Sequence, residues 1–171
     1  MGRRFHRAFY MRDVLEVAPQ LLGQHLVRIG PGGTKSAYVI TETEAYRGTE
    51  DLACHASKGR TPRTEVMFGE GGHLYMYLIY GMYWMMNVVT GPVGTPQAVL
   101  FRGVREADGP GKLTRLIGVD DGFYGEDLAG SHRIWIEESG ARVEYSTAPR
   151  VGIDYAGDPW KSKPWRFLMI L

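Results

Sequence analysis

Leu74-Tyr75-Met76-Tyr77-Leu78-Ile79-Tyr80-Gly81-Met82-Tyr83-Trp84-Met85-Met86-Asn87-Val88-Val89 is the most apolar and aromatic run of the chain, interrupted only by Gly81. Its length would suit a buried helix. Tyr, Ile, Trp and Val favour strands, however, and a glycine inside a helix costs about 1 kcal/mol relative to alanine. The run is therefore predicted as two strands joined at Tyr80-Gly81. A large ring at a tight turn cannot be covered by its own hairpin, so Tyr80 either docks on another element or projects.

Outward from this hairpin, Ala98 to Val104, Ser36 to Tyr46 and His25 to Ile29 read as further strands, with Gly30-Pro31-Gly32-Gly33 as a turn. Arg133 to Glu137 and Ala141 to Tyr145 read as a second hairpin around Gly140. Arg12 to Leu22 carries apolar residues at helical spacing and stops at Gly23. A second helix, Gly111 to Ile117, follows Pro110, and a helical turn is expected near Asp51 to Ala56. Strands dominate and helices flank them, which makes the class α+β.

The 171 residues are 44% hydrophobic and 23% charged, which excludes a disordered or collagen-like chain. No repeat or low-complexity linker divides them, so residues 1–171 are expected to form a single domain. Cys54 is the lone cysteine, which rules out an intrachain disulfide and a cysteine-based zinc site. His55 and His73 with Cys54 fit no metal-ligand spacing, so neither metal nor cofactor is expected. No apolar run reaches the roughly 18 residues of a membrane span, and the first residues carry arginines without a secretory h-region. A protein that is not secreted is expected, cytoplasmic and at the nucleoid if bacterial. The net charge of +1 argues against a uniformly basic nucleic-acid binder. Its segregation, with Arg3, Arg4, Arg7 and Arg12 at one end and acids at Glu42 to Asp51, is compatible either with a basic face or with an ordinary solvated surface.

With a period of two, Glu42, Glu44 and Tyr46 share one face of their strand. By itself this is the pattern of a solvent-facing edge strand. The alternative is a carboxylate base beside an aromatic stacking platform.

The segments Thr41-Glu42-Thr43-Glu44-Ala45-Tyr46, Glu50-Asp51, His55, Gly59-Arg60-Thr61-Pro62-Arg63, Met67-Phe68 and Tyr75 to Asn87 together resemble the alkyladenine DNA glycosylases, the mammalian-type 3-methyladenine DNA glycosylase family, which also has bacterial members. The resemblance continues through Val99-Leu100-Phe101-Arg102, Gly109-Pro110-Gly111-Lys112-Leu113, Arg150-Val151-Gly152-Ile153 and Pro164-Trp165-Arg166-Phe167, and so spans nearly the whole chain in order. It departs at Thr64, where asparagine usually follows Thr-Pro-Arg, at Trp84-Met85, and in lacking a long basic N-terminal arm.

The resemblance implies a compact domain with a curved, mainly antiparallel sheet and a protruding hairpin. It implies that Glu44 is the general base, that Tyr46 is one wall of the base pocket, and that His55 and Tyr77 are the opposite wall. Tyr80 would fill the gap left by a flipped nucleotide, Asn87 would reject guanine, and Arg102 would help to hold the water and a phosphate. Arg60, Arg63 and Lys112 would contact the DNA backbone. The implied partner is double-stranded DNA with a damaged purine, bound by a monomer.

These residue types suit glycosidic-bond cleavage, because a carboxylate can stabilise an oxocarbenium-like sugar and activate water. An adjacent Arg102 would oppose the upward shift that burial gives Glu44. Lys112 is the sole lysine between positions 59 and 160, which leaves a Schiff-base mechanism unsupported. Two rivals stay open: a non-catalytic binder of damaged nucleic acid, and a purine nucleoside hydrolase. If Tyr77 and Asn87 line one pocket, the turn between their strands must hold an odd number of residues, and a three-residue loop with Gly81 left-handed is predicted.

Overall fold

A computed structural model describes residues 2–171. The described residues form nine strands, of which the 13-residue spine is one, and three α-helices, an α+β architecture in which every strand pairing is antiparallel. In chain order the strands are β1 (His25–Ile29), β2 (Lys35–Arg47), β3 (Leu74–Ile79), β4 (Tyr83–Thr90), β5 (Gln97–Val104), β6 (Ala107–Asp108), β7 (Ile134–Glu137), β8 (Tyr145–Ala148) and β9 (Arg166–Met169). The helices are α1 (Arg7–Tyr10), α2 (Val14–Gln20) and α3 (Pro110–Ile117). The main path of the sheet runs β3-β4-β5-β2-β1-β7. The first part of β2 pairs with β1, and further along Glu42 to Glu44 pair with β9.

Alternation along the central strands separates two environments. Thr43, Ala45, Leu74, Met76, Met86, Val88, Val99 and Phe101 are buried on one face, where Val14, Val17 and Ala18 of α2 and Leu113 and Ile117 of α3 complete the main core. Asp13 caps α2, accepting from Leu15 N at 2.9 Å, and its carboxylate pairs with Arg47 at the end of β2. The opposite face carries Glu44, Tyr46, Tyr75, Tyr77, Asn87, Val89 and Ala98. Part of it forms a smaller cluster under the loop segments that hold Cys54, Ala56 and Met67.

Two irregularities shape this second face. Between the pairs Ile40↔Val104 and Glu42↔Gly103 an extra residue, Thr41, sits on β2, and between Glu42↔Gly103 and Thr43↔Phe101 an extra residue, Arg102, sits on β5. Such bulges bend a strand and re-aim side chains. A Cβ at Gly103 would stand 3.0 Å from Thr41 Oγ1, so glycine lets the two strands meet closely at the bulge.

The β3–β4 hairpin closes through Tyr80-Gly81-Met82, with Ile79 opposite Tyr83 and Met82 N donating to Ile79 O at 3.1 Å. The odd loop puts Tyr77 and Asn87 on one face as expected. Gly81 takes its left-handed backbone (φ +66) without a steric penalty, but Tyr80 does so too (φ +54), at a cost of about 1–3 kcal/mol for a non-glycine residue.

The predicted hairpin of residues 133–145 does not form. β7 pairs with β1, residues 138–144 are irregular, and the strand that begins at Tyr145 pairs with β9. Gly140 is left-handed as a turn residue should be (φ +75), but the chain leaving it finds no free edge on β7, because β1 pairs with one edge and residues Arg3 to Phe5 bond to the other. The helical turn expected near Asp51 to Ala56 lies slightly later, as a 3-10 turn at His55–Lys58.

Candidate active site

Glu44 is wholly buried, yet both of its carboxylate oxygens are engaged. Oε1 accepts from Tyr46 Oη at 2.8 Å and Oε2 from Val151 N at 2.7 Å. Arg102 Nη1 stands 3.6 Å from Oε1, and Glu42 holds that guanidinium in place through Nε at 3.2 Å. Glu42 is shared with Arg166 Nη1, also at 3.2 Å. Burial pushes the Glu44 carboxyl above its ordinary value, while Arg102, the Val151 N–H, the Tyr46 hydroxyl and Arg150 pull the other way. Arg102 thus opposes the rise as expected, but burial outweighs it.

Beside Glu44 lies a narrow aromatic slot lined by Tyr46, His55, Tyr77, Asn87 and Tyr155, with Cys54 in its wall. The slot is small, about 30 Å³, and open on one side. His55 reaches the slot from the turn after Cys54, its ring 4.4 Å from that of Tyr77 and its Nδ1 2.7 Å from Tyr75 Oη. Burial first, then Arg63 and Lys58, lower His55 to about 4, so the ring is neutral at physiological pH. Asn87 is buried in the slot, its Nδ2 donating to Tyr75 O across the hairpin at 3.2 Å. Burial raises the Cys54 thiol to about 12, which keeps it protonated and unreactive.

The other predicted residues lie at the surface. Tyr80 is 83% exposed at the hairpin tip. Arg60 is paired with Glu65, and Arg63 lies 5.4 Å from the centre of the Tyr77 ring. Lys112 is exposed on the first turn of α3, next to Gly111, where a Cβ would come within 2.8 Å of Tyr83. Glycine there lets the helix approach the base of the hairpin.

Sequence reasoning gave no site role to Asp51, Arg150, Val151, Tyr75 or Tyr155. Arg150 is fully buried and donates to Asp51 twice, at 2.6 and 3.0 Å, and to Ala45 O at 3.0 Å. Its guanidinium lies 4.9 Å from the centre of the Tyr46 ring. Asp51 also accepts from Arg47 N and Ala53 N, both at 3.0 Å, and so shapes the loop that delivers His55. Both residues fell within motifs of the resemblance, but their pairing spans 99 positions, beyond the reach of any local pattern.

A family model described as methylpurine-DNA glycosylase matches residues 8–108 and 105–170. Curated relatives are similar along nearly all of the chain. A protein of Methanocella arvoryzae is 44% identical over 94% of this chain and 90% of its own length. One from Desulfitobacterium hafniense is 43% identical over 98% and 95%, and one from Anaeromyxobacter dehalogenans 46% over 95% and 82%. All three carry the name "Putative 3-methyladenine DNA glycosylase". No helix among the described residues is long and apolar enough to cross a membrane.

Proposed function

Because the chain belongs to the methylpurine-DNA glycosylase family, we propose that it removes alkylated or deaminated purines from duplex DNA by hydrolysis, with Glu44 as the base. The observation that carries this reading is a carboxylate held inside the protein beside an aromatic slot. A purine turned out of the duplex enters the slot against Tyr46, His55 and Tyr77. Electron-rich rings attract a purine made cationic by methylation at N3 or N7, and a neutral His55 adds no repulsion. Asn87 selects at the slot's inner edge, where guanine carries an amino group that adenine lacks. Glu44 directs a water to C1′ of the sugar, and the Val151 N–H and Arg102 hold the carboxylate while positive charge develops on the sugar. One base and direct attack by water give inversion at C1′ without a covalent enzyme intermediate.

Two features favour this over the rivals. A nucleoside hydrolase has no use for an exposed tyrosine held in a strained turn at a hairpin tip. A mere binder has no use for a carboxylate buried against its own solvation. The test is release of free base from duplexes carrying a single 3-methyladenine, 7-methylguanine or hypoxanthine, beside the matching free nucleosides. Release from DNA but not from nucleosides is expected. Tight binding without release, or cleavage of nucleosides alone, would overturn the reading.

Tyr80 enters the stack in place of the flipped nucleotide and offsets part of the unstacking cost, while Arg60, Arg63 and Lys112 hold phosphates. Tyr80→Ala is expected to slow excision by about tenfold or more, since unstacking costs a few kcal/mol per step. The thermal midpoint should stay near wild type because the ring is exposed. Unchanged excision would exclude the wedge.

The pH dependence follows from the direction of the Glu44 shift. A raised carboxyl loses base function on protonation, so excision of a cationic lesion should rise with pH along an acid limb lying above 4.5, the ordinary glutamate value. Glu44→Gln should lack that limb. A wild-type limb at or below the ordinary value would contradict the assignment.

A further inference from the structure

Tyr155 lies at the mouth of the slot and is 69% exposed, although it lines the same space as Tyr46, His55 and Tyr77. Its 3-10 turn, Asp154–Ala156, is anchored by others: Ile153 and Ala156 are buried against Ala53, and the Tyr155 ring is not part of that cluster. The ring is nevertheless held in place. Its hydroxyl donates to Ala53 O at 3.0 Å, and the inward pointing of this end is reflected in the upward push that burial gives the hydroxyl. An aromatic face that the core does not need, pinned at the rim of an aromatic slot, is pre-organised to cover something that enters.

We infer that Tyr155 is a further substrate-binding residue whose ring closes the slot over the flipped nucleotide and favours purines carrying a positive charge. The inference rests on the glycosylase reading and adds to it a named contact and a direction of selectivity. Tyr46 and Tyr77 project from the sheet and His55 from the loop opposite. Tyr155 comes from a fourth segment and offers another π face at the open side, where a base would otherwise meet water. A cation benefits more than a neutral base from such a face.

The competing explanation is mechanical, with the Tyr155–Ala53 hydrogen bond tying two loops together. Three variants separate them: Tyr155→Phe keeps the ring and loses the tie, Tyr155→Leu keeps apolar bulk without a π face, and Tyr155→Ala keeps neither. The measurement is kcat/KM for release of cationic 7-methylguanine and of neutral hypoxanthine from the same duplex sequence. Tyr155→Phe is expected to stay within about twofold of wild type on both lesions. Tyr155→Ala and Tyr155→Leu should lose about 3- to 10-fold on 7-methylguanine, mainly through KM, and less on hypoxanthine.

Tyr155→Ala with wild-type values would overturn the inference. So would a Tyr155→Phe loss equal to that of alanine, which would assign the effect to the tie. A loss equal on both lesions would exclude charge selection. Absence of base release by the wild-type protein from either duplex is a different result, which removes the glycosylase reading and the inference with it.

Discussion

Glu44→Gln is expected to lower base release by about 10²- to 10⁴-fold, the usual worth of general-base help, while the folded protein stays at least as stable as wild type. Both halves come from one geometry. Glutamine keeps an oxygen to accept from Val151 N, but it cannot take a proton from water. The folded carboxyl titrates above its unfolded value, so the stability it contributes is fully present below the ordinary value of 4.5 and is lost as pH rises through the folded one. At neutral pH the wild-type protein therefore bears the cost of a buried charge. The neutral amide resembles the protonated acid and keeps what the carboxylate loses. Arg102 does not become an unpaired cation, because Glu42 still holds it. Single-turnover release and thermal unfolding at neutral pH measure the two halves. A variant that is inactive because it is unfolded would contradict the account as firmly as a fully active one.

Asp51→Ala is expected to destabilise the fold by about 3–5 kcal/mol, a large part of the roughly 5–15 kcal/mol that holds a domain together. Asp51 and Arg150 are both without solvent exposure, so removing the carboxylate leaves a guanidinium buried and uncompensated. Arg150 Nε already lacks a hydrogen-bond partner, which leaves little reserve. Two backbone N–H groups, of Arg47 and Ala53, lose their acceptor as well. The denaturant midpoint reports the loss. Replacing both partners with apolar residues, as in Asp51→Leu with Arg150→Met, should recover the part of the loss that comes from the unpaired guanidinium, since a buried ion pair adds little over a packed apolar one, while the Arg47 and Ala53 N–H groups stay without their acceptor. Excision should not recover with it. Arg150 lies against the Tyr46 ring and precedes the residue whose N–H holds Glu44, so the pair positions the site. Full excision by the double variant would show that the pair serves stability alone.

The contrast between residues 74–89 and 133–145 shows what a sequence discloses. In the first, strand-forming side chains flank one glycine, and the pairing they need is with each other, so hairpin and loop length could be read locally. In the second, the turn signal at Gly140 was equally local, but β7 is paired on one edge by β1 and on the other by residues Arg3 to Phe5, both more than a hundred residues earlier. Turn chemistry does not record which edge is already taken. The site divides the same way. Glu44 and Tyr46 share a face by simple alternation, and Tyr77 and Asn87 do so once the loop is odd. Val151 and Arg150 come from the far end of the chain, and only the fold brings them to Glu44 and Tyr46. The upward shift of Glu44 was likewise a competition between burial and Arg102, which needs the depth of burial to decide.

The most direct measurement is a crystal structure of the protein on duplex DNA carrying a cationic pyrrolidine nucleotide, which mimics the sugar at the point of bond cleavage. The account predicts that nucleotide turned out of the helix, with Tyr80 in its place in the stack. A water bonded to Glu44 at about 2.6–3.2 Å should face the carbon that stands for C1′. A ring bound elsewhere, or one within the slot with no path for water between it and Glu44, would contradict it.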